Sequence, residues 1–127
     1  MTSDLLAPDV FDRLQRATAA YPAELVGLYR DYLGEARHAL GQVRAALVGN
    51  DAEQLGERAH YIRGSSLIVG ATVVARYCAS LEQLGRNSEF QPAARTLEQA
   101  SAALDAVEAE LARRLGPAVV PVENSAA

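Results

Sequence analysis

Proline and glycine cut this sequence into successive blocks, and inside each block the apolar residues recur every three or four positions. That spacing lays them along one side of an α-helix, whereas a half-buried strand would alternate. Pro8 suits the first turn of a short helix running to about Thr18, with Val10, Phe11, Leu14 and Ala17 on one face. Pro22 opens a long second helix reaching Val48, whose stripe reads Leu25, Leu28, Tyr29, Tyr32, Ala36, Leu40, Val43 and Leu47. Gly49-Asn50 then breaks the chain, and Asp51 with Gln54 forms a capping-box pattern for a third helix that stops at Gly70. A fourth is predicted from about Thr72 to Leu84, burying Val74, Tyr77, Cys78, Leu81 and Leu84, with Gly85-Arg86-Asn87-Ser88 as a turn. Pro92 opens a fifth, whose stripe is Leu97, Ala100, Leu104, Val107, Leu111 and Leu115, and Gly116-Pro117 ends it.

Four long amphipathic helices joined by short links predict an all-α fold, an antiparallel up-down-up-down four-helix bundle with the short N-terminal helix capping one end. Residues 1–116 are expected to form this one domain and residues 117–127 an unstructured tail, Val119 and Val120 being too short a run for a strand. Gly27, Gly34 and Gly41 recur every seven residues opposite the second helix's apolar stripe. Each costs about 1 kcal/mol against alanine inside a helix, and periodicity alone supplies no reason for them.

The chain has 127 residues and a formal charge of −4, and it shows no basic stripe, which excludes a nucleic-acid partner. All twelve basic residues are arginine. A lone Cys78 cannot form an intramolecular disulfide, so the fold does not depend on an oxidising compartment. No signal peptide and no run of apolar residues long enough to span a membrane is visible, so a cytoplasmic, free-standing monomer is expected.

Only two histidines occur, His38 and His60. On the third helix Leu55, Ala59, Ile62, Ser66 and Val69 share one side, and helical geometry turns His60 about 145° away from it. His60 is therefore expected to face solvent. Gly56 and Gly64 flank it one turn away on either side, where a helix interior normally avoids glycine. Their absent side chains clear an approach to the ring. Arg63 lies on the same side, with a guanidinium suited to phosphate oxygens. Leu67, two turns on, adds an exposed apolar contact. His38, among charged residues on the solvent side of its helix, has no such surroundings.

The run Ala59-His60-Tyr61-Ile62-Arg63-Gly64-Ser65-Ser66 resembles the signature of histidine phosphotransfer domains, which read AHxLKGSS or close to it. The similarity continues through Val69-Gly70-Ala71, Val74-Ala75-Arg76-Tyr77-Cys78 and Leu81-Glu82-Gln83-Leu84-Gly85-Arg86. The resemblance implies a helical bundle that accepts a phosphoryl group on His60 from a receiver-domain aspartate and passes it to another. It puts Arg63 at a basic position more often lysine, Gly64 at the small residue beside it, and Glu82 where a side chain hydrogen-bonds the second ring nitrogen. Gly56 and Leu67 are candidates for partner docking. The implied partners are receivers of a hybrid sensor kinase and of a response regulator. No cofactor is implied for this chain, a divalent metal such as Mg being expected on the receiver.

Other chemistries fit less well. Glu57-x-x-His60 is a single, solvent-facing instance of a motif that a bundle metal site needs repeated and pointing inward, so no metal site is expected. Ser66 and Cys78 fall on core stripes, where small size explains them. No glycine-rich nucleotide loop is present, so self-phosphorylation from ATP is not expected. An adaptor that binds receivers without transferring phosphate shares the fold, but has no use for both His60 and Gly64.

Overall fold

The computed structural model describes residues 5–122, which form five α-helices: α1 (Pro8–Ala17), α2 (Pro22–Val48), α3 (Ala52–Val69), α4 (Thr72–Arg86) and α5 (Phe90–Leu115). No strand occurs among the described residues. α2, α3, α4 and α5 each pack on the next, and α5 closes back on α2. The stripes predicted from spacing meet at the centre, where Val43, Leu55, Ile62, Val74, Leu81, Leu97, Leu104, Val107 and Leu111 lose essentially all contact with water, joined by Leu33, which the predicted α2 stripe left out. Tyr77, Leu84 and Leu115 are only half-buried, at the margin of this core. No helix among the described residues is long and apolar enough to cross a membrane.

Local chemistry sets the helix limits. Asp51 caps α3 by accepting the Gln54 backbone N–H at 3.1 Å. Gln54 does not complete the predicted box; its side chain turns to Glu57 and Arg58, while the Asp51 N–H donates to the Ala46 carbonyl at 2.8 Å. Gly70 ends α3 with φ +84°, where an L side chain is strained and where an added Cβ would also lie 3.0 Å from Val10. α1 is drawn onto that corner: the Ala7 N–H donates to the Gly70 carbonyl at 2.8 Å. Phe11 is buried with its ring 5.8 Å from that of Tyr29. α5 begins before Pro92, at Phe90, because the N–H that proline lacks has no partner in a helix's first turn.

Buried polar groups tie α2 to α3. Tyr32 Oη and Ser66 Oγ are 2.6 Å apart, and Tyr29 donates to the Val69 carbonyl at 2.9 Å. Burial pushes the Tyr29 hydroxyl up to about 12 and raises that of Tyr32 as well. The Cys78 thiol, also buried, is pushed up to about 12 and acts as a small neutral packing group.

Two further expectations need correction. Gly85 and Arg86 belong to α4 and not to a turn; the chain leaves the helix at Asn87 and Ser88, the latter with φ +54°. Nor is the tail loose from Pro117 onward. Pro117–Val119 form a 3-10 turn, Val119 is fully buried, and Arg30 of α2 donates to the Ala118 carbonyl at 3.3 Å. The rest of the predicted tail, residues 123–127, lies outside the described residues. Pro121 lies over Gly34 of α2, where an added methyl would make ordinary contact with its Cβ at 4.0 Å. Removing two buried methyl groups by Val119→Ala should cost about 1–2 kcal/mol in urea unfolding. An unpacked tail would show no change.

Candidate functional site

α3 sorts its side chains sharply. Ala59 and Ile62 are fully buried, while the His60 side chain between them is 63% exposed. Gly64 is exposed, and nothing stands within 4 Å of where its Cβ would be. Leu67 continues this row and is exposed, and so are Tyr61 and Ile68 on the flank facing α2. Tyr61 donates to Glu35 of α2 at 3.2 Å, which fixes that flank. Arg63 lies on the other flank, toward α4.

What α4 contributes is set by one close approach. A Cβ on Gly85 would lie 2.8 Å from Leu55 Cδ2, 3.2 Å from the Gly56 backbone nitrogen and 3.4 Å from the Ala52 carbonyl. Only glycine lets the backbones come this near. One turn earlier on α4, Glu82 is thereby brought beside His60. Its side chain is only 10% exposed, yet three groups reach it: His60 Nδ1 at 3.1 Å, Arg63 Nε at 3.0 Å and Arg86 Nη2 at 2.8 Å. Gly56, read from sequence as a cleared approach, also lies at this crossing. A methyl there would make only ordinary contact with the Glu82 carbonyl, at 4.0 Å. Gly56, His60, Glu82, Gly85 and Arg86 line a shallow open cleft.

The ring's tautomer follows from its neighbours. His60 Nδ1 is 3.1 Å from a Glu82 carboxylate oxygen and 3.2 Å from Arg63 Nη2. It cannot donate to the first and accept from the second with the same site. A bare Nδ1 would set its lone pair against a nearly buried carboxylate, so the proton belongs on Nδ1 and is donated to Glu82. Nε2 then carries the free lone pair, on the exposed edge. The arrangement is a neutral nucleophilic nitrogen at the surface, with two guanidinium groups within reach of anything bound to it.

This geometry and the sequence around it match known proteins. The family model for the Hpt domain matches residues 27–110, from within α2 to late α5. The chain belongs to the histidine phosphotransfer (Hpt) domain family. The Hpt match includes His60, Arg63, Gly64, Glu82 and Arg86, and leaves out α1 and the tail. Among solved structures the chain is similar to the crystal structure of histidine-containing phosphotransfer protein B from Pseudomonas aeruginosa PAO1. The two share 28% identity with a TM-score of 0.80, over 87% of this chain and 94% of that one. No curated protein matches the sequence.

α3 and α4 bring the candidate residues His60, Arg63 and Glu82 into direct contact, Gly56 lines the same cleft, and Gly64 and Leu67 are exposed on the same helix as His60. Sequence reasoning put Gly85 and Arg86 in a turn and in the run that resembles the family, but named neither as a site residue. The arginine's position four residues after Glu82 was the available signal, since that spacing places two side chains on one helix face. Among the described residues no group of His, Cys, Asp and Glu is arranged to hold a metal.

The tautomer is testable. In ¹⁵N spectra of the imidazoles, His60 should show a protonated Nδ1 and a bare Nε2. Glu82→Ala should shift the ring toward the Nε2–H form by removing the acceptor. A ring already protonated at Nε2 in the wild type would contradict the assignment.

Proposed function

We propose that this Hpt protein is a phosphorelay intermediate: it takes a phosphoryl group on His60 Nε2 from the aspartate of one receiver domain and gives it to the aspartate of another. The observation that carries this reading is the exposed Nε2, left nucleophilic because Nδ1 is committed to Glu82. Nε2 attacks phosphorus in line as the bond to the aspartyl oxygen breaks, and the return step reverses this with a second receiver. Phosphoryl transfer needs positioning and charge neutralisation more than covalent help. Arg63 and Arg86 supply cationic donors on this side. The receiver brings its own divalent metal, such as Mg, to the other.

The empty space over Gly64 admits the receiver's acidic pocket, while Gly56 and Leu67, with Tyr61 and Ile68, offer a surface for docking. The same reading takes the four long helices as an antiparallel up-down-up-down bundle, as their short links imply, acting as a cytoplasmic monomer. Its partners are the receivers of a hybrid sensor kinase and of a response regulator.

A panel of receiver domains carrying radiolabelled aspartyl phosphate tests the reading. Label should appear on the wild type and be absent from His60→Gln. Arg63→Ala should slow labelling about tenfold or more through loss of a charge-assisted contact. Gly64→Leu should slow it similarly by filling the approach, while raising stability by up to about 1 kcal/mol through helix propensity. Receiver binding with no label on the wild type would reject transfer in favour of a docking adaptor.

A further inference from the structure

At rest Glu82 is the shared counter-ion of two arginines and also the acceptor for the His60 ring proton. Its own position is fixed by burial on α4. Arg63, half-buried at 35% exposure, and Arg86, at 64%, are both held on long flexible stems. The cluster is also crowded: with the proton on Nδ1, the Arg63 Nη2 donor faces the ring's N–H donor across 3.2 Å. The carboxylate they share makes that proximity tolerable while the ring is neutral.

Phosphorylation changes the charges. The Nε2–P bond forms as the donor's bond to phosphorus breaks, and no proton leaves Nδ1, so the ring becomes cationic while the phosphoryl oxygens are anionic. The cationic ring now repels Arg63, and the phosphoryl group attracts both arginines. We propose that Glu82 is a positioning residue that works by exchanging partners: it holds Arg63 and Arg86 while His60 is free, and releases them to the phosphoryl group while its carboxylate becomes the counter-ion of the charged ring. Each charge then has an opposite neighbour in both states. The ring also stays protonated, so that onward transfer expels a neutral imidazole and not an imidazolate. An amide at position 82 accepts the same hydrogen bond without supplying the charge. The inference rests on phosphorylation of His60, as proposed above, but not on which protein supplies the phosphoryl group.

The other charged groups near the ring are Glu53 and Glu57 of α3, which line the same cleft. Both are exposed, so solvent screens them more than it screens Glu82. α2 contributes Glu35, which is engaged by Tyr61 on the far flank.

Potassium phosphoramidate, which transfers its phosphoryl group to exposed imidazoles with loss of ammonia, loads the protein without a receiver. Loaded wild type and Glu82→Gln are compared by ³¹P and ¹⁵N spectra across a pH series. The wild-type phosphorylated ring should keep its Nδ1 proton to about one pH unit higher than the variant, the effect of one nearby opposite charge. Loading should also move the Arg63 and Arg86 Nε–H signals in the wild type. Equal midpoints, unmoved arginine signals, or failure of phosphoramidate to load His60 would each overturn the exchange. If loading and exchange are seen but no receiver labels the protein, the relay reading fails and the exchange stands. If receivers label it without exchange, the reverse holds.

Discussion

Where α4 crosses α3 there is room for backbone and little else. The lost side chain at Gly85 sets the separation of the two helices, and that separation sets the reach of Glu82. Had the helices stood further apart, the carboxylate would not lie at hydrogen-bond distance from the imidazole, and the Arg63 donor would be the group left facing Nδ1, favouring the other tautomer. The glycine costs helix propensity, about 1 kcal/mol, and returns the contact that leaves Nε2 bare. The stability of one helix is thus traded for the chemistry of its neighbour.

The rest of the bundle holds this crossing still. The Tyr32–Ser66 and Tyr29–Val69 hydrogen bonds fix α3 against α2 from the opposite side, inside an apolar core that tolerates no loose polar group. α1 locks the corner at Gly70, where the chain turns from α3 into α4. α3 is therefore gripped on its inner face by α2 and α4 while its outer face, with His60, Gly64 and Leu67, is left bare. A rigid element presenting an exposed nucleophile suits a protein whose partner brings the remaining catalytic groups.

Much of this was legible in the residues. Apolar spacing and proline–glycine punctuation located all five helices, because those signals act within a turn or two of chain. The exposure of His60 followed from its angle to the α3 stripe. The Glu82 contact rested on resemblance alone, since it depends on an interhelical distance that no local pattern encodes. Gly85 was misread for the same reason: Gly-Arg-Asn-Ser has turn composition, and only the neighbouring helix shows that the glycine is there for packing. The tail was misread because a three-residue turn with one buried valine leaves no periodicity to detect. The glycines of α2 have no single cause. A methyl at Gly34 or Gly27 would make only ordinary contact, with Pro121 at 4.0 Å or the Arg30 guanidinium at 3.8 Å, and one at Gly41 would meet nothing, so packing explains none of the three.

The central claim is that Glu82 leaves one particular nitrogen of one histidine free to carry phosphate. The direct measurement is a proton–phosphorus correlation spectrum of the protein after loading from a receiver's aspartyl phosphate, which identifies the ring nitrogen bonded to phosphorus. Phosphorus on Nε2 of His60 is the predicted result. Phosphorus on Nδ1, or on any other residue, would contradict the account.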